Sequence, residues 1–271
     1  MTGHRPPCRL HVLAATAAPL ACVLRRGPTD WFHVARWRYL DGVVEHGAWT
    51  RVKIYPERCG LSPDGSLLGV FALGGEWGPY FAVSRVPWLH ALAAWAAAGT
   101  WTTGVCFGAD GTLELAGCVG PEPRSGTYPG PVARRPVDTH WVRARLQREL
   151  STGWEVVEAP WPPWVHRLPA PLQAHPAAVV ARRAPAGRKG EALVVVSLRE
   201  GHREYYLVGP GAARPLEGIR WAETAREGRL LAATDAGELR VLASDLSPEW
   251  TYDMNPPEPD PRPAPEWARR W

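Results

Sequence analysis

Leu61-Ser62-Pro63-Asp64-Gly65-Ser66-Leu67-Leu68 reads as a turn with a strand on each side: Ser-Pro opens it, and Asp-Gly supplies a left-handed corner that glycine adopts without steric cost. The unbroken apolar run over 67–72 that follows has the length of a buried strand. Gly108-Ala109-Asp110-Gly111-Thr112-Leu113-Glu114-Leu115 repeats the turn-then-strand form 46 residues later, about the length of a four-stranded propeller blade. A third instance lies at 229–242, where two apolar runs flank Asp235-Ala236-Gly237.

Outward from these turns the periodicity stays short and β-like. Val52-Lys53-Ile54-Tyr55 alternates, and the runs 193–198 and 205–208 flank Gly201 as the arms of a hairpin. Two segments break the pattern. Residues 88–98 are alanine-rich, carry Leu89, Leu92 and Ala96 at helical spacing and stop at Gly99, which predicts a short helix. Residues 138–150, with Asp138 or Thr139 as N-cap and Val142, Leu146 and Leu150 on one face, predict another. Connectors rich in proline and glycine fill 120–136, 159–176 and 184–190. Six prolines among residues 255–265 predict an extended, mobile arm tipped by Trp267, Arg269, Arg270 and Trp271.

The expectation is an all-β chain: an irregular β-propeller of about five or six blades over residues 1–252, with one or two short helices inserted, and a proline-rich C-terminal arm over 253–271. At its Ser62-Pro63-Asp64-Gly65 turn the sequence resembles TolB-like and WD-repeat-like propeller proteins. Over roughly residues 9–118 it also resembles an uncharacterised bacterial family, through Arg25-Arg26-Gly27-Pro28, then Trp31, then Arg58-Cys59-Gly60-Leu61-Ser62-Pro63-Asp64-Gly65 in that order. That resemblance implies a fold and brings no activity with it.

Composition removes several function classes. With 271 residues, 45% hydrophobic and 21% charged, the chain is neither a disulfide-stapled miniprotein nor largely disordered. No apolar run reaches the roughly eighteen residues of a membrane-spanning helix. The apolar stretch 10–24 is interrupted by His11 and leads into Arg25-Arg26-Gly27-Pro28, so it reads as a strand and turn rather than an export signal. Five cysteines without close pairing fit a reducing cytoplasm. The net charge is +4, and all but two of the 31 basic residues are arginine, in scattered pairs. Together with the scarcity of Ile, Lys and Asn, this reflects a GC-rich coding bias and does not favour nucleic acid as partner.

Signatures of catalysis are missing. The chain has no Cys-x-x-Cys, His-Glu-x-x-His, Gly-x-Ser-x-Gly or phosphate-binding glycine loop, so neither a metal nor a cofactor is expected. Gly187-Arg188-Lys189-Gly190 reads as a solvated turn. Cys59, beside Arg58, is either a lowered-pKa thiol or, the plainer reading, a small buried residue at a strand start. Fifteen tryptophans are the compositional extreme. Trp31, Trp37, Trp49, Trp77, Trp95 and Trp101 are expected mostly as packing, whereas Trp161-Pro162-Pro163-Trp164 suits a surface or groove.

These residues suggest a non-enzymatic scaffold that offers loops and a central mouth to a protein partner or small ligand. Its expected contacts are Arg25, Arg26, Trp31, Arg58 and Asp64, which stand where loops emerge, with Trp161 and Trp164 beside them. The plain alternative for Arg58 and Asp64 is an ion pair across the turn. A rival function is a hydrolase or lyase acting on a sugar or peptide, with Asp64, Asp110 and an arginine converging in the funnel. A weaker third reading is an arginine and tryptophan surface for single-stranded nucleic acid.

Overall fold

The computed structural model describes residues 6–27, 30–137, 149–150, 152–157, 163, 166, 168, 178–183, 190–197, 203–225 and 229–271. It is all-β, with four sheets built almost wholly from antiparallel neighbours. Two compact units divide the chain: Met1–Ser151 with Met254–Trp271, and Thr152–Asp253.

The first unit begins with a four-stranded meander: β1 (Arg9–Ala14), β2 (Leu20–Arg26), β3 (Phe32–Arg38) and β4 (Val43–Thr50). The apolar stretch at the N-terminus is therefore two strands of a hairpin, Val12 facing Val23 and His11 facing Leu24. The second sheet holds β5 (Lys53–Ile54), β6 (Gly60–Leu61), β7 (Leu67–Leu73), β8 (Pro79–Arg85), β9 (Ala93–Phe107), β10 (Leu113–Val119), β11 (Ser125–Gly126) and β12 (Val132–Arg135). Its parallel pair is β10 with β12.

β7 is buried on both faces, which is why its sequence is continuously apolar. Successive side chains point to opposite faces. Leu68, Val70 and Ala72 join Leu13, Cys22, Leu24, Phe32 and Val34 of the first sheet in one core, while Phe71 joins Phe81, Trp95, Val105 and Leu115 in another. Gly69 lies so close to Val105 that a Cβ there would stand 2.6 Å from its side chain.

The helix expected over 88–98 is instead the approach to and first part of β9. Ala93, Ala94, Trp95 and Ala96 pair with Val83, Ala82, Phe81 and Tyr80, and the small side chains let β11 come in on the other edge, Gly126 opposite Ala93. Burial of Ala93, Ala94 and Trp95 to 2% exposure or less outweighs the helix propensity of alanine, which amounts to tenths of a kcal/mol per residue. The helix expected over 138–150 falls on residues 138–148, outside the described residues, with Glu149 and Leu150 helical. Short 3-10 turns stand at Pro56–Arg58, Gly75–Trp77 and Glu266–Arg269.

The C-terminal segment bends at 255–256, has no regular secondary structure over 257–265, and belongs to the first unit. Met254 and Ala268 are fully buried. Asn255 Oδ1 accepts from the Cys8 amide at 2.8 Å, Arg85 Nε donates to the Arg270 carbonyl at 2.7 Å, and the Trp271 ring meets Tyr128 edge-on at 5.4 Å.

The second unit holds β13 (Glu155–Val156), β14 (Ala178–Arg183), β15 (Ala192–Ser197), β16 (Arg203–Val208) and β17 (Ala213–Pro215) in one sheet, and β18 (Ile219–Thr224), β19 (Leu230–Thr234), β20 (Glu238–Leu242) and β21 (Pro248–Asp253) in another. Both hairpins read from the sequence here are formed: β15 pairs with β16, and β19 with β20. Leu168, Val194, Val196, Tyr206 and Val208 form a core within this unit. The buried indole of Trp154 donates to Glu223 at 3.0 Å, so that carboxylate is partnered.

Candidate functional site: a basic and aromatic ridge

At one end of the first sheet Arg9 of β1 stands directly opposite Arg26 of β2, and Arg26 opposite Phe32 of β3. The Arg26 guanidinium lies 5.7 Å from the Phe32 ring centre. One residue before Phe32, the half-buried Trp31 carries the guanidinium of Arg51 over its ring at 4.8 Å. The chain then runs Arg51-Val52-Lys53-Ile54-Tyr55: Val52 and Ile54 pack into the core, which leaves Arg51 and Lys53 exposed. Lys53 Nζ and the Arg58 guanidinium each sit 5.1 Å from the Tyr55 ring.

Arg58 closes the series. Its 3-10 turn brings it over both Tyr55 and Phe71, and Nη1 donates to the Thr100 carbonyl of β9 at 2.5 Å. Gly104 of β9 makes that approach possible: at φ +119° it lies where a Cβ would meet the Arg58 backbone at 2.6–2.9 Å. Beside Thr100 stands Trp101, 86% exposed.

Arg9, Arg26, Arg51, Lys53 and Arg58 thus make a series of five cations linked through neighbouring strand ends and rings, here called the ridge, with Arg9 and Arg26 on the Phe32 face of the first sheet and Arg51 on the Trp49 side; none has a carboxylate partner among the described residues, although Asp30 and Glu57 are exposed on the same segments. Elsewhere in this unit cations do pair, as Arg36 does with Glu45 and Arg135 with Glu114. Ring contacts hold Arg26, Arg51, Lys53 and Arg58 in place while leaving their charge unneutralised.

The expected contact residues separate on this structure. Arg26, Trp31 and Arg58 lie on the ridge. Arg25, pointing to the other face of β2, is 2% exposed and structural: Nη1 donates to the Gly27 carbonyl at 2.7 Å, Nη2 to that of Asn255 at 2.9 Å, and the guanidinium lies 5.1 Å from the Trp49 ring. Its Nε has no partner among the described residues, and neither has Nδ1 of the fully buried His33 opposite it. His33 stacks on Trp49 at 4.3 Å and on His46 at 5.0 Å. Burial first, then His46 and Arg25, lower the His33 pKa to about 3. Trp161 and Trp164 lie outside the described residues.

Asp64 does not pair with Arg58. It accepts from Ser62 Oγ at 2.5 Å, the Ser66 amide at 3.1 Å and Ser66 Oγ at 2.7 Å. Partial burial opposes its ionisation, but these bonds outweigh it and hold the carboxyl below its usual range. Asp110 behaves alike, taking the amide of Thr112 at 3.0 Å and its hydroxyl at 2.9 Å. Both aspartates are exposed, and after burial itself their charges are what raises the Tyr128 pKa. Cys59 is 2% exposed, just ahead of β6, with its thiol directed to the Tyr55 carbonyl, as expected of a packing residue.

Trp37 and Trp95 are buried to 2% exposure or less, as packing requires; Trp101 is not a packing residue. Alternation over 51–55 carried the signal for Arg51 and Lys53, because a strand with Val52 and Ile54 inward leaves them outward. Nothing in the sequence distinguished Trp101. In the second unit a cavity of about 360 Å³ is lined in part by Glu204, Tyr206, Arg220 and Asp235; there Tyr206 donates to Glu204 at 2.5 Å and Arg220 pairs with Asp235. Among the described residues no group of three His, Cys, Asp or Glu side chains is placed to hold a metal ion, and no helix is long and apolar enough to cross a membrane.

No protein-family model matches this chain, and none of the curated proteins matches it.

Proposed function

We propose that this protein is a non-enzymatic binding module of β-propeller type, and that the ridge is where it meets its partner. The observation that carries the reading is the combination of five cations without carboxylate partners among the described residues, four of them held by ring contacts or backbone, with one tryptophan at 86% exposure. A solvated arginine needs no such bracing, and interface energy concentrates in tryptophan and arginine held rigid before binding. Asp64 and Asp110 support a scaffold over a hydrolase, since each spends its carboxylate on its own turn at the surface. Four-stranded antiparallel meanders in chain order, β1 to β4 in one unit and β18 to β21 in the other, support blade-like sheets. Five cysteines with no disulfide between them support a reducing, cytoplasmic setting.

The test is affinity purification of tagged full-length protein from its native organism beside the variant R51A/K53A/R58A, each analysed by mass spectrometry. A stoichiometric partner present with the first and lost with the second is expected. Identical protein profiles from both would remove the ridge from the function.

A further inference from the structure

We infer that the ridge takes an acidic segment of a protein partner, a run of Asp and Glu with one apolar side chain for Trp101. This rests on the binding-module reading above and names the partner's chemistry.

Charge comes first. Arg9 and Arg26 are directly opposed on antiparallel strands, an arrangement that like charges disfavour. A carboxylate between them would relieve it, yet none is supplied among the described residues. Arg51, Lys53 and Arg58 follow along the chain to Thr100, likewise without carboxylate partners among the described residues. Such a field selects an anionic partner and speeds its encounter.

The rings decide which anion. Single-stranded nucleic acid binds by laying bases on open aromatic faces. Here Phe32, Trp31 and Tyr55 already carry a guanidinium or ammonium over the ring, Tyr55 two of them. They are braces for cations, not platforms for bases. Trp101, next in sequence to the Thr100 that Arg58 binds, is 86% exposed and carries no cation or ring partner among the described residues, and one apolar anchor following a series of cations suits a peptide in which one apolar residue follows several carboxylates.

The experiment uses the full chain and fluorescein-labelled twelve-residue probes, followed by fluorescence anisotropy: an Asp/Glu peptide with one leucine, its Asn/Gln counterpart, and a twelve-nucleotide oligo-dT. The acidic peptide is expected to bind, to weaken by about tenfold between 50 and 200 mM NaCl, and to weaken by about tenfold at low salt in R51A/K53A/R58A. Because Arg58 also braces Thr100, the variant R51A/K53A leaves that contact intact and is expected to show most of the loss. Trp101→Ala is expected to weaken binding by about tenfold with the salt dependence unchanged. Tighter binding of oligo-dT than of the acidic peptide would overturn the inference in favour of nucleic acid. Equal binding of the neutral peptide, or no binding of any probe, would overturn it too. If that happens while the purification still shows a partner lost with R51A/K53A/R58A, the acidic chemistry fails and the binding module stands; if both fail, so does the module.

Discussion

Arg25 donates from Nη2 to the main-chain oxygen of Asn255 at 2.9 Å, across 230 positions of sequence. Asn255 returns its side-chain oxygen to the amide of Cys8, so the two residues tie the C-terminal segment to the first strands. Met254 and Ala268, both fully buried, continue the attachment. Truncation after Tyr252 is therefore expected to destabilise the first unit rather than release a free arm. Arg25→Ala should cost on the order of 3 kcal/mol, because carbonyl partners and the Trp49 ring lose a buried cation, and Asn255→Ala about 1 kcal/mol. Urea unfolding measures both; a truncated chain with the midpoint of the full one would show that the segment contributes nothing to stability.

His33 makes stability depend on pH. Its folded pKa of about 3 lies below the ordinary 6.5, so between those values the unfolded chain binds the proton that the folded chain refuses. Stability is fully present above about pH 6.5 and falls as pH drops toward 3. The expected loss between pH 7 and pH 4.5 is on the order of 2–3 kcal/mol from this residue. His33→Phe, which keeps a ring against Trp49 and removes the titration, should flatten the slope. An unchanged slope would assign it to other groups.

Asp64 gives its carboxylate to its own turn. Asp64→Ala removes three hydrogen bonds and should cost on the order of 1–2 kcal/mol in thermal or urea unfolding while leaving partner binding at the ridge unaltered. Loss of binding in a folded D64A would place that carboxylate in the contact surface after all.

Gly104 and Gly111 both have positive φ, and substitution should separate them. A methyl at Gly104 meets the Arg58 backbone at 2.6–2.9 Å, whereas at Gly111 it meets nothing within 4 Å. Gly111→Ala carries only the left-handed backbone cost, about 1 kcal/mol. Gly104→Ala adds the clash, should cost more than 2 kcal/mol, and should weaken ridge binding by displacing Arg58. Equal effects at the two sites would contradict the close packing of β9 on the Arg58 turn.

The turns were legible in the sequence because their chemistry is local. Asp64 and Gly65, and Asp110 and Gly111, each combine a carboxylate that bonds its own turn with a glycine at positive φ. The hairpins β15–β16 and β19–β20 were legible for the same reason, as apolar runs on either side of a turn. Residues 88–98 were not, since alanine favours a helix in isolation and only the pairing of Ala93 and Ala94 with β8 reveals the strand. Arg26, Trp31 and Arg58 stood out as loop-edge residues. What joins them into one ridge depends on register, Arg9 against Arg26, and on a contact between Arg58 and Thr100 that spans 42 positions. Arg25 looked equivalent to Arg26, but strand alternation sends it to the opposite face.

The most direct measurement places a photo-crosslinking amino acid at Trp101 in the full chain in its native organism, with the same group at Leu40, 47% exposed on the same unit, as control. One dominant adduct is expected from position 101, its crosslinked residues lying in an acidic segment of another protein, and none of it from position 40. Adducts of the same kind and amount from both positions, or none from position 101, would contradict it.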